Sequence, residues 1–240
     1  MLDFTSQTTS QAKYKANSST YDAGLRDYMQ KVFNNMGIAL AITGLVSFIT
    51  ANSPTLINAI FGSPLKWLVM LAPLGFIFFL SAKINSISAS KAKTYLWIFS
   101  GLMGLSLAPI FLMYTGASIA RAFFITSSLF GAMSLYGYTT KKDLTAMGSF
   151  MMMGLIGLII ASLVNLFLQS SGLQFALSIL TVIIFTGLTA YDVQKIKSLY
   201  YQFAGNAEAI SKAATMGALS LYMDFINIFL AILRLFGERR

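Results

Sequence analysis

Past a polar opening stretch, the chain alternates long apolar runs with short polar connections. Seven apolar segments stand at Val32–Ala51, Leu65–Ala82, Thr94–Thr115, Ala120–Tyr138, Gly148–Leu168, Leu173–Tyr191 and Ala214–Phe236. Each is long enough to cross a hydrocarbon core of ~30 Å as a helix. In lipid every backbone N–H and C=O must bond within its own segment, and barrel strands would be shorter and would alternate, so the pattern predicts helices. The fold class expected is all-α, a polytopic membrane protein with seven transmembrane helices. Connections are short except Asp192–Ala213. Residues 1–30 are rich in Ser, Thr, Gln and Lys and carry no apolar h-region. They predict a mostly disordered tail with a short amphipathic lead-in near Leu25–Lys31, and not a cleavable signal peptide. Residues 31–240 then form the transmembrane domain.

Within the segments, Pro73 and Pro109 each remove a backbone donor and predict kinks in the second and third helices. Gly154, Gly157 and Ala161 in the fifth give the small-residue spacing that permits close helix packing. Met151–Met153 reads as adaptable packing, since thioethers alone would suit only soft copper.

Composition sharpens this picture. Of 240 residues 56% are hydrophobic and 10% charged, where a soluble domain is nearer a quarter charged. The net charge of +9 comes without aromatic–basic interleaving on a soluble module, which argues against a nucleic-acid partner. It fits basic cytoplasmic loops beside anionic lipid. Lys13, Lys15, Arg26 and Lys31 precede the first segment, and alternate loops hold Lys83, Lys91 and Lys93, then Lys141 and Lys142, then Lys195, Lys197 and Lys212. The other side holds Lys66 and Arg121 before the C-terminus. The asymmetry predicts a cytoplasmic N-terminus. Seven crossings put Arg239 and Arg240 outside, against the rule, so the last segment either crosses fully or is re-entrant; its 23 residues, Ala214–Phe236, favour a full crossing. With no cysteine and no histidine, disulfides, thiolate chemistry and Cys/His metal sites are excluded. Any pH response near neutrality must come from a carboxylate or a lysine.

Two of the 8 acidic residues fall in or at the edge of the apolar runs. An Asp in mid-bilayer costs roughly 2.5 to 3.5 kcal/mol, so such residues are candidates for function. Asp224 lies inside the last segment. Ser220, Asp224 and Asn227 follow an i, i+4, i+7 spacing, with Gly217 and Ala231 on the same side and Arg234 at its edge. At 100° per residue they form one small-and-polar stripe, flanked by Phe225, Phe229, Ile232 and Phe236. A polar stripe within a membrane turns toward other helices or a water cavity, which predicts a central place for this helix. The plain alternative is a hydrogen-bonded structural carboxyl.

Asp192 closes the sixth segment. Lys195, three residues on, gives the plain alternative of a surface Asp–Lys pair at a helix end. Straight helices with these boundaries leave Asp192 at the cytoplasmic end and Asp224 ~15 Å deeper, at 1.5 Å per residue. If they do meet, two carboxylates in low dielectric share a proton. Deprotonation would open the pair or let it hold a hard cation, and the oxygen ligands suit weakly bound Ca²⁺.

Thr189-Ala-Tyr-Asp-Val-Gln194 and Ala218-Leu-Ser-Leu-Tyr-Met-Asp-Phe-Ile-Asn-Ile-Phe-Leu230 resemble the Bax inhibitor-1 family of transmembrane Bax-inhibitor-motif proteins, in its bacterial branch. Gly137-Tyr-Thr-Thr-Lys-Lys-Asp-Leu144, Met147-Gly148 and Gly104-Leu-Ser-Leu-Ala-Pro109 support the likeness, which covers about residues 20–240. The resemblance implies six helices around a central seventh, a bacterial inner membrane, and a pH-sensitive calcium leak sensed by Asp192 and Asp224. It implies no enzyme and no cofactor beyond weak Ca²⁺. It also implies a basic latch on the second helix, for which Lys83 is the nearest residue. A lysine does not fork as an arginine does, and the second helix carries no acidic residue.

Two other classes compete with a leak gated by the Asp192/Asp224 pair. One is an interaction protein: some bacterial relatives are associated with membrane proteases, and the N-terminal tail could be the part a protease reads. The other is an intramembrane aspartyl protease, using paired carboxylates; its usual second motif has glycine beside the Asp, where this chain has Met223 and Phe225. Solute transport has no residue pattern that names a substrate.

Overall fold

Five helix starts in this chain are set by polar side chains at the expected places. Ser53 caps the helix that starts at Pro54, and Ser88, Thr115, Ser170 and Asn206 each accept a hydrogen bond from a backbone N–H three residues on, satisfying donors that a helix start leaves free. The computed structural model describes residues 4–84 and 86–240, residues 4–22 and 81 without their side chains. The elements in order are α1 (Phe4–Ala51), α2 (Pro54–Phe61), α3 (Leu65–Lys83), α4 (Ala89–Leu107), α5 (Pro109–Met113), α6 (Gly116–Thr139), α7 (Thr145–Leu168), α8 (Ser171–Gln202) and α9 (Ala207–Phe236). Among the described residues, six helical runs are long and apolar enough to cross a membrane, and α2 with α3, bent by 83°, makes a seventh if the pair is one span. Pro73 leaves α3 unbroken, whereas Pro109 separates α4 from α5.

Residues 1–3 of the expected tail lie outside the described residues, as do the side chains of residues 4–22. Packing begins before residue 30: Leu25, Tyr28 and Met29 are buried with Val32 and Met36, the spacing of one helical face.

The helix α9 forms the axis. In its most apolar window 67% of residues are buried, against 11% in α7, and α1, α4, α6 and α8 all pack on it. Gly217, Asp224 and Ala231 are buried and Ser220 and Asn227 half-buried, so the polar stripe faces other helices, as expected. Its far end is fixed. The Arg240 N–H donates to the Met113 carbonyl at 3.0 Å, Thr115 N–H to the Glu238 carbonyl at 3.1 Å, and Glu238 N–H to Ser118 Oγ at 3.0 Å. The helix therefore runs unbroken from the 203–206 turn to the opposite face at the α5–α6 junction, and is not re-entrant.

Two expectations need correction. The sixth segment does not end at Asp192: α8 continues to Gln202, and the long connection shrinks to residues 203–206. Beyond Asp192 the helix turns amphipathic. Val193 and Ile196 are buried, and Tyr200 stacks near Tyr28 with ring centroids 5.5 Å apart. The fall in hydropathy marks emergence from the apolar layer, not the end of the helix. In α7, Gly154 meets the Ile184 side chain, but Gly157 has open space around it. The close approaches are made elsewhere, at Gly137 and Gly148 against α8 and at Gly104 against α1.

Candidate functional site

The site is built on the α8–α9 hairpin. A side chain at Gly137 of α6 would collide with the Ala190 carbonyl, and one at Gly148 of α7 with the Tyr191 ring. Those two glycines let α6 close on the α8 backbone and α7 on the Tyr191 ring just ahead of Asp192. Downstream, the Gln194 side-chain amide donates to the Lys142 carbonyl and accepts from Leu144 N–H, both at 2.8 Å. The Lys197 ammonium donates to the Tyr138 carbonyl at 3.0 Å and lies over the Tyr138 ring. The motif Tyr191–Lys197 thus clamps the 140–144 loop on one side of α8 and presents Asp192 to α9 on the other. There Ser220 donates its hydroxyl to Asp192 Oδ2.

Asp224 stands one helical turn beyond Ser220, 4% exposed, within Coulombic range of Asp192. Its Oδ2 has no hydrogen-bond partner. The structure brings together Asp192, Ser220 and Asp224. Straight helices ending at Asp192 kept the carboxylates apart. The run of α8 past Asp192 to Gln202 outweighs the earlier start of α9 at Ala207 and sets Asp192 level with Ser220, one turn short of Asp224. Lys195 does not form the expected surface pair: its ammonium lies over the Tyr191 ring, with Asp192 in Coulombic range but outside contact.

The other candidates stand apart. Asn227 turns its amide back to the Met223 carbonyl at 2.8 Å. Lys83 is exposed at the end of α3, which packs chiefly on α4 and not on α8 or α9.

Further unpaired polar atoms lie in the bundle. Most helical hydroxyls donate to the carbonyl four residues back, as Thr189 does to Phe185 at 2.8 Å. The hydroxyls of Thr126 and Ser134 in α6 and Thr186 in α8 have no partner. Buried polar atoms are rarely left so without water or an ion. The contact of Gly137 with Ala190 sets the register of α6 and α8, which run in the same direction, and places Ser134 and Thr186 one turn along from it.

Sequence reasoning missed Gln194 and Lys197, which sat past the presumed helix end although a glutamine and lysines after an apolar run are available partners for a loop. It also missed Tyr222, whose hydroxyl meets Thr43 Oγ1 at 2.7 Å while Thr43 donates to the Ala39 carbonyl at 3.0 Å or the Ser100 carbonyl at 2.9 Å. This knot ties α9 to α1 and α4.

Among the described residues no three acidic side chains cluster. The pair offers two carboxyl groups and a hydroxyl, fewer oxygens than the 6–8 that Ca²⁺ takes.

Comparison with known proteins gives one consistent result. The family described as Inhibitor of apoptosis-promoting Bax1 matches residues 25–240. A Rickettsia prowazekii protein is 49% identical over the whole of both chains. The inner membrane protein YbhL of Escherichia coli is 44% identical over 220 residues, 91% of this chain and 94% of its own. A Caulobacter vibrioides protein is 42% identical over 228 residues, 91% of each chain.

Proposed function

This chain belongs to the Bax inhibitor-1 family, and from that premise we propose that it is a cation leak, with Ca²⁺ as cargo, gated by protonation of the Asp192/Asp224 pair. The observation that carries the reading is the buried Asp224 carboxyl, with a bare Oδ2 on the central helix, in range of a second carboxyl that Ser220 already engages. When the pair holds a proton, one carboxylate remains and the helices stay closed around it. When both ionise, repulsion in a low dielectric favours either separation of α8 from α9 or a cation between them. The free hydroxyls of Thr126, Ser134 and Thr186 supply polar lining that a hydrated ion needs and that packing alone does not. Two carboxyl groups with so few further ligands hold Ca²⁺ weakly, which suits passage more than storage.

In this reading the lysine-rich ends of α6, α7 and α8 face the cytoplasm, the N-terminus lies on the same side, and the membrane is a bacterial inner membrane. The protein is a conductor and not an enzyme. The test is Ca²⁺ flux from proteoliposomes against pH. Asp224→Asn should change the flux and flatten its pH dependence, and the same profile in wild type and variant would sink the proposal.

A further inference from the structure

The end of α9 opposite the aspartates borders a separate space with a partly polar wall. A cavity of about 890 Å³ lies between the C-terminal ends of α7 and α9, the start of α8 and the α5–α6 junction. Arg234 and Arg239 both line it. The Arg239 guanidinium lies 5.9 Å from the Tyr114 ring, and Arg234 is in Coulombic range of the same tyrosine, so the two cations flank one side chain. Neither forms an ion pair among the described residues. Among the described residues Glu238 is the one acidic side chain on this face, and it does not line the cavity.

Three further features give the cavity its chemistry. Asn165 and Gln174 are hydrogen-bonded to each other at 3.3 Å and present amide groups. Ser170 and Ser171 bring the N-terminus of the 32-residue α8 to the wall, where a helix carries partial positive charge and free N–H groups. The rest of the lining includes Leu107, Leu166 and Phe175, side chains that accept hydrocarbon. Two unpaired guanidiniums facing one space, with the start of a helix beside them, match the oxygens of a phosphate. The cavity also lies where the helices end, at the depth of lipid headgroups.

We infer that this cavity is a binding site for a phosphate group, held between Arg234 and Arg239, and that the phosphate is that of an anionic phospholipid whose acyl chains run along the apolar part of the wall. The site is independent of the Asp192/Asp224 pair and of any leak. A free phosphate has the same charged chemistry but leaves Leu107, Leu166 and Phe175 without a partner, which favours the lipid.

The test uses the full chain in a neutral detergent, titrated separately with dioctanoyl phosphatidylglycerol, dioctanoylglycerol and inorganic phosphate. Wild type should bind the phosphatidylglycerol saturably and the uncharged diacylglycerol not at all. Arg234→Gln and Arg239→Gln should each weaken binding by about tenfold, the scale of one charge-assisted hydrogen bond. Arg234→Lys, which keeps the charge but loses the fork, should fall between wild type and Arg234→Gln. Unfolding temperatures of all variants without lipid identify any loss due to misfolding, and Arg234→Lys carries the test if a glutamine variant fails to fold. Binding equal in wild type and both folded glutamine variants overturns the site, as does equal binding of diacylglycerol. Inorganic phosphate binding as tightly as the lipid overturns the lipid as its source.

Discussion

The helices α7 and α9 look alike as apolar runs and occupy opposite positions. The first has 11% of its most apolar window buried, the second 67%. On α7, Ile156, Ile160 and Leu163 are 57%, 59% and 57% exposed; in a bilayer those side chains face lipid, which is as apolar as they are. On α9 nearly every side is covered: Asp224 at 4% and Ala231 at 1% exposure are buried together with Leu221, Ile228 and Leu233. Hydropathy therefore tells which segments span, whereas the placement of polar and small residues tells which span sits in the middle. The reason is that no hydrophobic force drives one helix against another in lipid, so close backbone approach and polar contacts decide the neighbours.

The largest expected effect comes from moving the anomaly to the wrong helix. Ile156→Asp puts a carboxyl on the lipid face of α7 and should destabilise the fold by about 3 kcal/mol, measured by unfolding in mixed micelles. An unaltered stability would mean that this face of α7 is not lipid-exposed, and would break the contrast with α9. Next comes the contact that holds α6 to α8. Gly137→Val forces side-chain atoms into the Ala190 backbone and should cost roughly 1–3 kcal/mol. In the functional reading it should also disturb Ca²⁺ flux, because Asp192 lies two residues beyond Ala190. A smaller loss is expected for Gly157→Val, which meets open space, and equal losses at both positions would show that the two faces pack alike.

The central place of α9 was legible because Ser220, Asp224 and Asn227 repeat at helical spacing within an apolar run, and few physical arrangements tolerate that. The approach of Asp192 to within Coulombic range of Asp224 was not legible. Asp192 sits where hydropathy falls, and a fall in hydropathy has two causes: the helix ends, or it leaves the apolar layer and continues. The buried Val193 and Ile196 distinguish the two, and their i, i+3 spacing carries the helical period past Asp192. The tether through Gln194 depended on the path of the 140–144 loop, a tertiary fact with no local pattern. The knot of Tyr222 with Thr43 and Ser100 joins residues 179 and 57 positions apart, beyond any spacing argument. Lys83 was reached through its helix alone, and the packing of α3 on α4 places it elsewhere.

That knot gives a measure of how far α9 depends on polar contacts. Tyr222→Phe removes one hydroxyl and leaves Thr43 with the Ala39 and Ser100 carbonyls. The loss should be about 1 kcal/mol, read from the same unfolding curves. A loss near that of Ile156→Asp would assign the core position of α9 to this one bond and not to the stripe as a whole.

The smallest effect lies at the start of α7. Asp143, in the exposed loop between α6 and α7, accepts from the Thr145 hydroxyl at 2.6 Å and from the Thr145 backbone N–H at 2.9 Å. Both bonds favour the charged carboxylate and hold its pKa below the ordinary value of 3.8. A carboxyl whose folded pKa is depressed binds protons more weakly in the native state than in the unfolded state. Its contribution is therefore present above the unfolded pKa and is lost as pH falls through the folded one. Thr145→Val removes the hydroxyl bond, so wild type should exceed the variant in stability at neutral pH by a small margin that narrows below about pH 4. A margin that stays constant through that range would place the difference in the helix propensity of valine instead of the carboxylate. The start of α7 would then owe nothing to charge, in keeping with the apolar helix that follows.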